Sequence, residues 1–366
     1  MEGENMMNNH NHVFIMAGGV GSRFWPKSRN NYPKQFIDIL GIGKSLLQLT
    51  YERFNKIVPA GNIYIVTNIA YKGLILEQLP EVSADNILCE PSRNNTAPGI
   101  AYAAFKILAK DPDAAMVIAP SDHFILREEV FLGKIRQALN IIAEKDILLT
   151  LGITPTRPDT GYGYIKFAEN GKEDIQKVVK FTEKPVLSKA LEFLNSGDYV
   201  WNAGIFIWKA QSILNAIRQL TPELYDLFSK GEGAYNTPQE QAFIDQYYPQ
   251  SPNISIDYAV MEKAENVYTM PVEFGWSDLG TWASLFMVAE KQDESNNVFS
   301  GGDGQLEDTS DCIIHIPKDK LAVIRGLKDF IVVDDGNVLL IYPKTAEQEI
   351  KRVTEQLRIQ NKISHL

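Results

Sequence analysis

Val13-Phe14-Ile15-Met16-Ala17-Gly18-Gly19-Val20-Gly21-Ser22-Arg23 is the stretch on which the reading of the fold turns. Its first four residues are apolar and partly β-branched, with the length and character of a strand, and a glycine-rich loop follows at once. Glycines after a strand let backbone N–H groups approach and wrap an anion, because no side chain stands in the way. Two familiar phosphate loops are excluded. A dinucleotide fingerprint needs a third glycine where Phe24 stands, and Gly43-Lys44-Ser45 lacks the upstream P-loop glycine, its position being held by Asp38. Residues 11–34 carry Arg23, Lys27, Arg29 and Lys34 but no Asp or Glu, where 46 acids in 366 residues would place about three. The loop therefore reads as a cationic pocket for phosphate, against the plainer alternative of a strand-to-helix turn with solvated basic residues.

Outward from this strand, apolar β-branched runs recur at Ile63–Val66, Met116–Ala119, Ile147–Leu151, Val178–Phe181 and Ile205–Trp208. Between the Met116 and Ile147 runs, Phe131, Ile135, Ala138 and Ile142 follow the 4, 3, 4 spacing of one helix face. Strands alternating with helices predict an α/β fold whose mainly parallel sheet is flanked by helices. Ligands in such sheets bind at the carboxyl ends of strands. From about Glu290 the texture changes to short strands and glycines, with Asp335-Gly336 suited to a type I′ hairpin turn and Thr345/Gln348 to a capping box before a last helix. The predicted organisation is a disordered tail over 1–12, a catalytic domain over 13–290 and a small β-rich C-terminal domain over 291–366 ending in a helix.

The formal charge of -10, from 36 Lys plus Arg against 46 Asp plus Glu, disfavours nucleic acid and anionic membrane surfaces as partners. Cys89 and Cys312 lie far apart with no Cys-x-x-Cys pair, which argues against structural zinc or a disulfide framework and for a reducing cytoplasm. Residues 1–12 are polar, Asn- and His-rich, and no run of 18 apolar residues occurs, so neither a signal peptide nor a membrane span is expected.

Residues just beyond the strands carry the chemistry. Asp122, in Pro120-Ser121-Asp122-His123, falls at the end of an apparently central strand. A carboxylate beside a phosphate pocket calls for a cation between them, and Mg2+ is the economical choice, with Asp278 of Gly275-Trp276-Ser277-Asp278 as the second acid. Either Asp alone reads equally well as a helix cap, and His123 reads as a local hydrogen-bonding partner. Glu183-Lys184-Pro185 and Trp201-Asn202-Ala203-Gly204 offer a carboxylate and an amide for sugar hydroxyls and an ammonium for phosphate. Glu90 to Pro98 offers donors and acceptors to a base edge, and Gly161-Tyr162-Gly163-Tyr164 offers close backbone approach and aromatic surface. Taken singly, each of these is compatible with an ordinary turn.

Together, GGVGSRFWPKSR with PKQF, EPSRNNTAP, APSDH, GITPTRPDTGYGYIKF, FTEKP, WNAGIF, SIDYAVMEK and FGWSDLGTW resemble the mannose-1-phosphate guanylyltransferases, or GDP-mannose pyrophosphorylases, of the sugar-phosphate nucleotidyltransferase superfamily. The resemblance runs from about Val13 to Trp282 and is expected to continue to the C-terminus. It implies a nucleotide-binding α/β sheet and a reaction in which GTP and mannose 1-phosphate give GDP-mannose and pyrophosphate. It further implies that Arg23, Lys34, Asp122 and Asp278 are catalytic, with Mg2+ (or Mn2+ in its place) on Asp122 and Asp278. Ala17, Gly18, Gly19, Gly21, Ser22, Arg23, Asn95, Thr96, Ser121, Gly161 and Tyr162 would bind the nucleotide, with the backbone of Gly18, Gly19 and Gly21 and Arg23 on the triphosphate and Asn95, Thr96, Gly161 and Tyr162 near the guanine and ribose. Gly161, Glu183, Lys184 and Asn202 would hold the sugar phosphate. One departure stands out: the family string leads to an Arg where Asn94 stands, with Arg93 one place earlier. Some relatives carry a phosphomannose isomerase domain beyond this region, an activity not expected from the 84 residues after Trp282, whose role would be to brace the catalytic domain or a homodimer. Two rivals are weighed against this reading. A glycosyltransferase would carry Asp-x-Asp beyond a strand, whereas Asp111-Pro112-Asp113 precedes one; a non-catalytic nucleotide-sugar sensor need not keep both metal carboxylates.

Overall fold

The structure, a computed structural model, describes residues 8–168, 173–291 and 294–366. Every strand and the helix predicted from periodicity form. The strands are β1 (Asn11–Met16), β2 (Ile63–Asn68), β3 (Ile87–Glu90), β4 (Ala115–Pro120), β5 (Phe124–Ile125), β6 (Leu148–Ile153), β7 (Tyr164–Ala168), β8 (Gln176–Thr182), β9 (Tyr199–Lys209) and β10 (Val267–Val272). All but β5 join one nine-stranded sheet in the order β3-β2-β1-β4-β9-β6-β10-β8-β7. The run β3-β2-β1-β4 is parallel, as is the β6–β10 pair, while β9 and β8 run antiparallel to their neighbours. The parallel run brings the carboxyl ends of β1, β3 and β4 to one edge, where Gly18, Glu90 and Ser121 stand.

The helices of this region are α1 (Leu46–Asn55), α2 (Lys72–Gln78), α3 (Thr96–Leu108), α4 (Glu128–Glu144), α5 (Leu187–Ser196), α6 (Ala210–Leu220), α7 (Pro222–Ser229) and α8 (Glu240–Tyr247). The α4 stripe Phe131, Ile135, Ala138 and Ile142 is fully buried, as its spacing requires. α3 and α6 bury apolar faces in the core that also takes Phe14, Met116 and Trp208 from the sheet. Among the described residues no helix is long and apolar enough to cross a membrane. The tail predicted over 1–12 lies outside the described residues from 1 to 7. Asn11 and His12 already belong to β1, and His12 is buried with its Nε2 3.0 Å from Asp111.

The predicted boundary near 290 is displaced. Contacts divide the chain into a first unit, which runs through Gly18 and takes in Tyr51–Ser121 and Ile125–Trp276, and a second of Gly19–Thr50, Asp122–Phe124 and Ser277–Leu366. The glycine loop thus shares a unit with the C-terminal strands. These follow β11 (Trp276–Ser277) and are β12 (Val298–Ser300), β13 (Asp303–Glu307), β14 (Ile313–His315), β15 (Leu321–Arg325), β16 (Phe330–Asp335) and β17 (Val338–Pro343), with helices α9 (Trp282–Val288) and α10 (Ile350–Ile359). The chain alternates between a β12-β14-β16-β17 sheet and a β13-β15 sheet, and β12–β14, β14–β16 and β13–β15 pair in parallel. This is the winding of a short β-solenoid. One face of the larger sheet, through Ile313, Ile331, Val333 and Leu340, packs with Phe24, Trp25, Leu279 and Trp282. Trp25 also donates its indole N–H to the His365 carbonyl at 2.6 Å.

Two local expectations are corrected. The β16–β17 turn is Gly336-Asn337, with positive φ at Gly336 alone (60°), which fits type II′ rather than I′. The capping box is at Thr281 and Ser284 on α9; a 3-10 turn, Lys344–Glu349, occupies the Thr345/Gln348 position, and α10 starts at Ile350.

Candidate active site

In the second unit, the loop after β1 turns at Gly21, whose φ of 67° and ψ of 38° lie in the left-handed region. A Cβ there would fall 2.5 Å from Cβ of Lys34, so conformation and space both demand glycine. Ser28 Oγ donates to the Val20 carbonyl (2.6 Å) and Gln35 Nε2 to the Gly19 carbonyl (3.0 Å). The carbonyls of Gly19 and Val20 are thereby consumed by the protein, while the N–H groups of Gly19, Val20 and Gly21 meet no acceptor among the described residues. Such a loop presents donors, the requirement for an anion.

Lys34 lies beneath it. Its side chain is 4% exposed, and Nζ sits 2.7 Å from Asp122 Oδ2 while donating to the carbonyls of Asp278 and Leu279 at 2.8 Å each. One ammonium thus gathers the two carboxylate-bearing segments predicted to hold a cation. Burial pushes the Asp122 carboxyl up, but the charges of Lys34 and His123 and the Lys34 hydrogen bond outweigh it, leaving it below the ordinary carboxylate range. The Asp278 carboxylate accepts the Gly280 N–H at 2.9 Å. Arg23 is exposed and forms no ion pair among the described residues.

Two of the four cations in the acid-free stretch 11–34 have a structural use that the sequence does not announce. Lys27 and Arg29 pair with Asp335 at 3.1 and 3.6 Å, and Arg29 also reaches Asn337 and the Asp335 carbonyl, so these cations hold the C-terminal hairpin. Of the four cations, Arg23 and Lys34 are the two not engaged with Asp335.

The first unit carries the predicted sugar-phosphate residues. A cavity of about 230 Å³ is lined by Asn95, Gly163, Glu183, Lys184, Asn202 and Asp257, among others. A Cβ on Gly163 would lie 2.6 Å from Glu183 Oε2, so this glycine admits the carboxylate. Lys184 Nζ lies 2.5 Å from Glu183 Oε1. Asn202 donates Nδ2–H to Asp257 Oδ1 (2.8 Å) and accepts the Gly204 N–H (3.0 Å). Burial holds the Asp257 carboxyl above its ordinary range, against the Asn202 hydrogen bond.

The predicted base-contact residues are more engaged than their sequence suggests. Asn95 caps α3 by accepting the Thr96 N–H (3.0 Å), yet it lines the sugar-side cavity; Thr96 Oγ1 accepts the Ile256 N–H (2.9 Å). Tyr162 is buried against Trp201 and Trp276, with the Arg157 guanidinium 5.6 Å above its ring, so it offers no open stacking surface. Gly161 is exposed and its N–H is taken by Asp159 (2.8 Å). Ala17 has both backbone groups bound, to Val66 and Thr67, and Ser121 is buried with its N–H on the Met16 carbonyl. Asn94 ties its loop to Ser251 through Nδ2, and Arg93 donates to the Tyr71 hydroxyl.

Glu90 was given no individual role from sequence, although it heads the EPSRNNTAP string. The residue is 7% exposed, and its carboxylate accepts the Tyr248 hydroxyl. Cβ atoms built on Gly18 and Gly99 would lie 3.2 and 2.6 Å from its two oxygens. Burial raises it to about 7, the Tyr248 hydrogen bond opposing. The rival Asp-x-Asp reading finds no support, because Asp111 is held by His10 and His12 ahead of β4.

Comparison with known proteins places the chain in a family. Residues 12–295 match the nucleotidyl transferase family. The mannose-1-phosphate guanylyltransferase of Salmonella muenchen is 37% identical over 96% of this chain and 74% of its own length, and that of Escherichia coli K12 is 34% identical over 96% and 74%. A solved structure of the mannose-1-phosphate geranyltransferase of Thermus thermophilus superimposes with a TM-score of 0.86 at 29% identity, covering 95% of this chain and 99% of its own. The chain therefore belongs to the nucleotidyl transferase family and is similar, within it, to mannose-1-phosphate guanylyltransferases.

Proposed function

We propose that the protein is a mannose-1-phosphate guanylyltransferase, converting GTP and mannose 1-phosphate to GDP-mannose and pyrophosphate. The observation that carries this is the buried Lys34 ammonium, joined to Asp122 and to the backbone of Asp278 beneath a loop whose Gly19, Val20 and Gly21 N–H groups meet no acceptor among the described residues. A phosphate oxygen of mannose 1-phosphate attacks the α-phosphorus of GTP; the new P–O bond forms as the bond to the β-phosphate oxygen breaks, and pyrophosphate leaves with that electron pair. The nucleophile is already anionic at neutral pH, so no Ser or Cys need be activated. Catalysis then rests on alignment and charge neutralisation.

In this reading the loop N–H groups and Arg23 bind the triphosphate, Lys34 adds positive charge, and Glu183, Lys184 and Asn202 hold the sugar phosphate. Glu90 has the acceptor chemistry to meet the N1–H and amino group of guanine. Asp122 and Asp278 are hard oxygen donors suited to Mg2+, with Mn2+ able to replace it. Among the described residues no three His, Cys, Asp or Glu side chains converge, so ligand oxygens would complete the coordination. A bound divalent ion would supply Lewis-acid charge neutralisation at the phosphates.

The test is pyrophosphate release with each of GTP, ATP, UTP and dTTP against mannose 1-phosphate and glucose 1-phosphate, with Mg2+, Mn2+ or chelator. Release confined to GTP with mannose 1-phosphate, and abolished by chelator, is expected. Release with another pair overturns the specificity, and none from folded protein overturns the reaction.

A further inference from the structure

Asp257 belongs to no strand end and to none of the assigned site residues, yet it opens a π-turn, Asp257–Met261, on the wall of the sugar-side cavity. Such turns are uncommon and recur at functional sites. Its partner is the informative one. The Asn202 backbone N–H is bound to the Gly163 carbonyl at 2.8 Å, which sets the stem of the side chain. The amide oxygen accepts from Gly204 and Nδ2 donates to Asp257. Flipping this amide would set NH2 against an N–H and oxygen against a carboxylate, so only one orientation is stable. Asn202 therefore offers the cavity one remaining N–H and one remaining lone pair, both in fixed directions.

A carboxylate has about four lone-pair sites, and Asn202 uses one of those on Asp257. The other acid beside Gly163, Glu183, is already paired with Lys184. We propose that Asp257 is a specificity-determining residue of the sugar subsite: it fixes the Asn202 amide and accepts a hydrogen bond from a hydroxyl of the hexose 1-phosphate. This rests on reading the cavity as the sugar-phosphate subsite. The pairing turns a single acceptor into a directional acceptor–donor set, which distinguishes hexoses by where their hydroxyls point.

The experiment compares full-length wild type with Asp257→Asn, which keeps shape and can still accept from Asn202, and Asp257→Glu. Thermal midpoints are recorded first, and Asp257→Asn carries the test if the longer side chain disturbs folding. Losing one charge-assisted hydrogen bond raises KM for mannose 1-phosphate about ten- to hundredfold in Asp257→Asn. KM for GTP stays within about twofold, and the preference for mannose over glucose 1-phosphate falls. Unchanged sugar-phosphate KM and preference in a folded variant, or equal rises for both substrates, would overturn the assignment. If wild type releases no pyrophosphate with any pair, the proposed reaction falls. Calorimetric binding of mannose 1-phosphate then decides Asp257 alone: weaker binding by Asp257→Asn than by wild type supports it, and equal or absent binding refutes it.

Discussion

Replacing Lys34 by Met removes the charge and the three hydrogen-bond donors while keeping most of the buried stem. The ammonium serves Asp122 at 2.7 Å and two carbonyls at 2.8 Å, with its side chain 4% exposed. Two stranded carbonyls cost about 1 kcal/mol each at the lower end of the usual range. An uncompensated buried charge costs about 3–5 kcal/mol, but Asp122 is 30% exposed, which discounts that to about 1–2 kcal/mol. Lys34→Met should therefore destabilise by about 3–4 kcal/mol, summing these contributions. The sharper test is the cycle with Asp122→Asn. In wild type that change removes half of an ion pair and costs stability; in the Lys34→Met background it removes an unpaired charge and restores stability. A coupling of about 1–2 kcal/mol should appear in urea unfolding followed by tryptophan fluorescence. Additivity within about 0.5 kcal/mol would show that the pair contributes nothing, and the argument for Lys34 as the organising cation would fail.

Other outcomes follow from the same geometry. Gly21→Ala places a Cβ 2.5 Å from Lys34 in a left-handed conformation, so it should lose about 1–2 kcal/mol from the backbone alone and, by shifting Lys34, about a hundredfold in kcat; near-normal turnover would sever the loop from Lys34. Gly163→Ala drives a methyl to 2.6 Å from Glu183 Oε2 and should raise KM for the sugar phosphate with KM for GTP little changed, whereas an effect on GTP alone would misplace the subsite. His315, hydrogen-bonded to Ser300 Oγ, is lowered to about 4 by burial and by Lys27, against Asp335 and Asp38. Its folded pKa lies below the unfolded value, so the unfolded state binds more protons and stability falls as pH drops from about 6.5 to 4, by at most about 3 kcal/mol. His315→Gln should flatten that slope in unfolding measured between pH 7 and 4.5, and parallel slopes would refute the cause.

The first unit was legible because its signals are local. Val13–Met16 and Met116–Ala119 are strands by composition, and the 4, 3, 4 spacing of α4 needs no partner to be read. Asp122 and Asp278 were reachable as acids of a candidate cation site beside the glycine loop. Lys34 as the group joining their segments was not, since its bond to the Asp278 carbonyl spans 244 residues. The same distance problem hid the use of Lys27 and Arg29 by Asp335. It also hid the solenoid, because short strands look alike whether they pair in parallel across a coil or as hairpins. Tyr162 misled for another reason: an aromatic between glycines suggests an open surface, and only packing on Trp201 and Trp276 shows it closed. Asp257 lies within SIDYAVMEK, but nothing in that string announces a π-turn or a bond to Asn202.

The joining of Gly19–Thr50 and Asp122–Phe124 with Ser277–Leu366 has a consequence for how the protein is made. Domains emerging from the ribosome can fold in turn when each is a continuous segment. Here the glycine loop is synthesised early, but Leu279 and Trp282, which pack with Phe24 and Trp25, and the carbonyls that seat Lys34 come more than 240 residues later. Closing so long a loop is slow. The loop must wait for the chain's last quarter with only its local bonds from Ser28 and Gln35, and a nascent protein lacking that quarter would have Lys34 without its carbonyl seats.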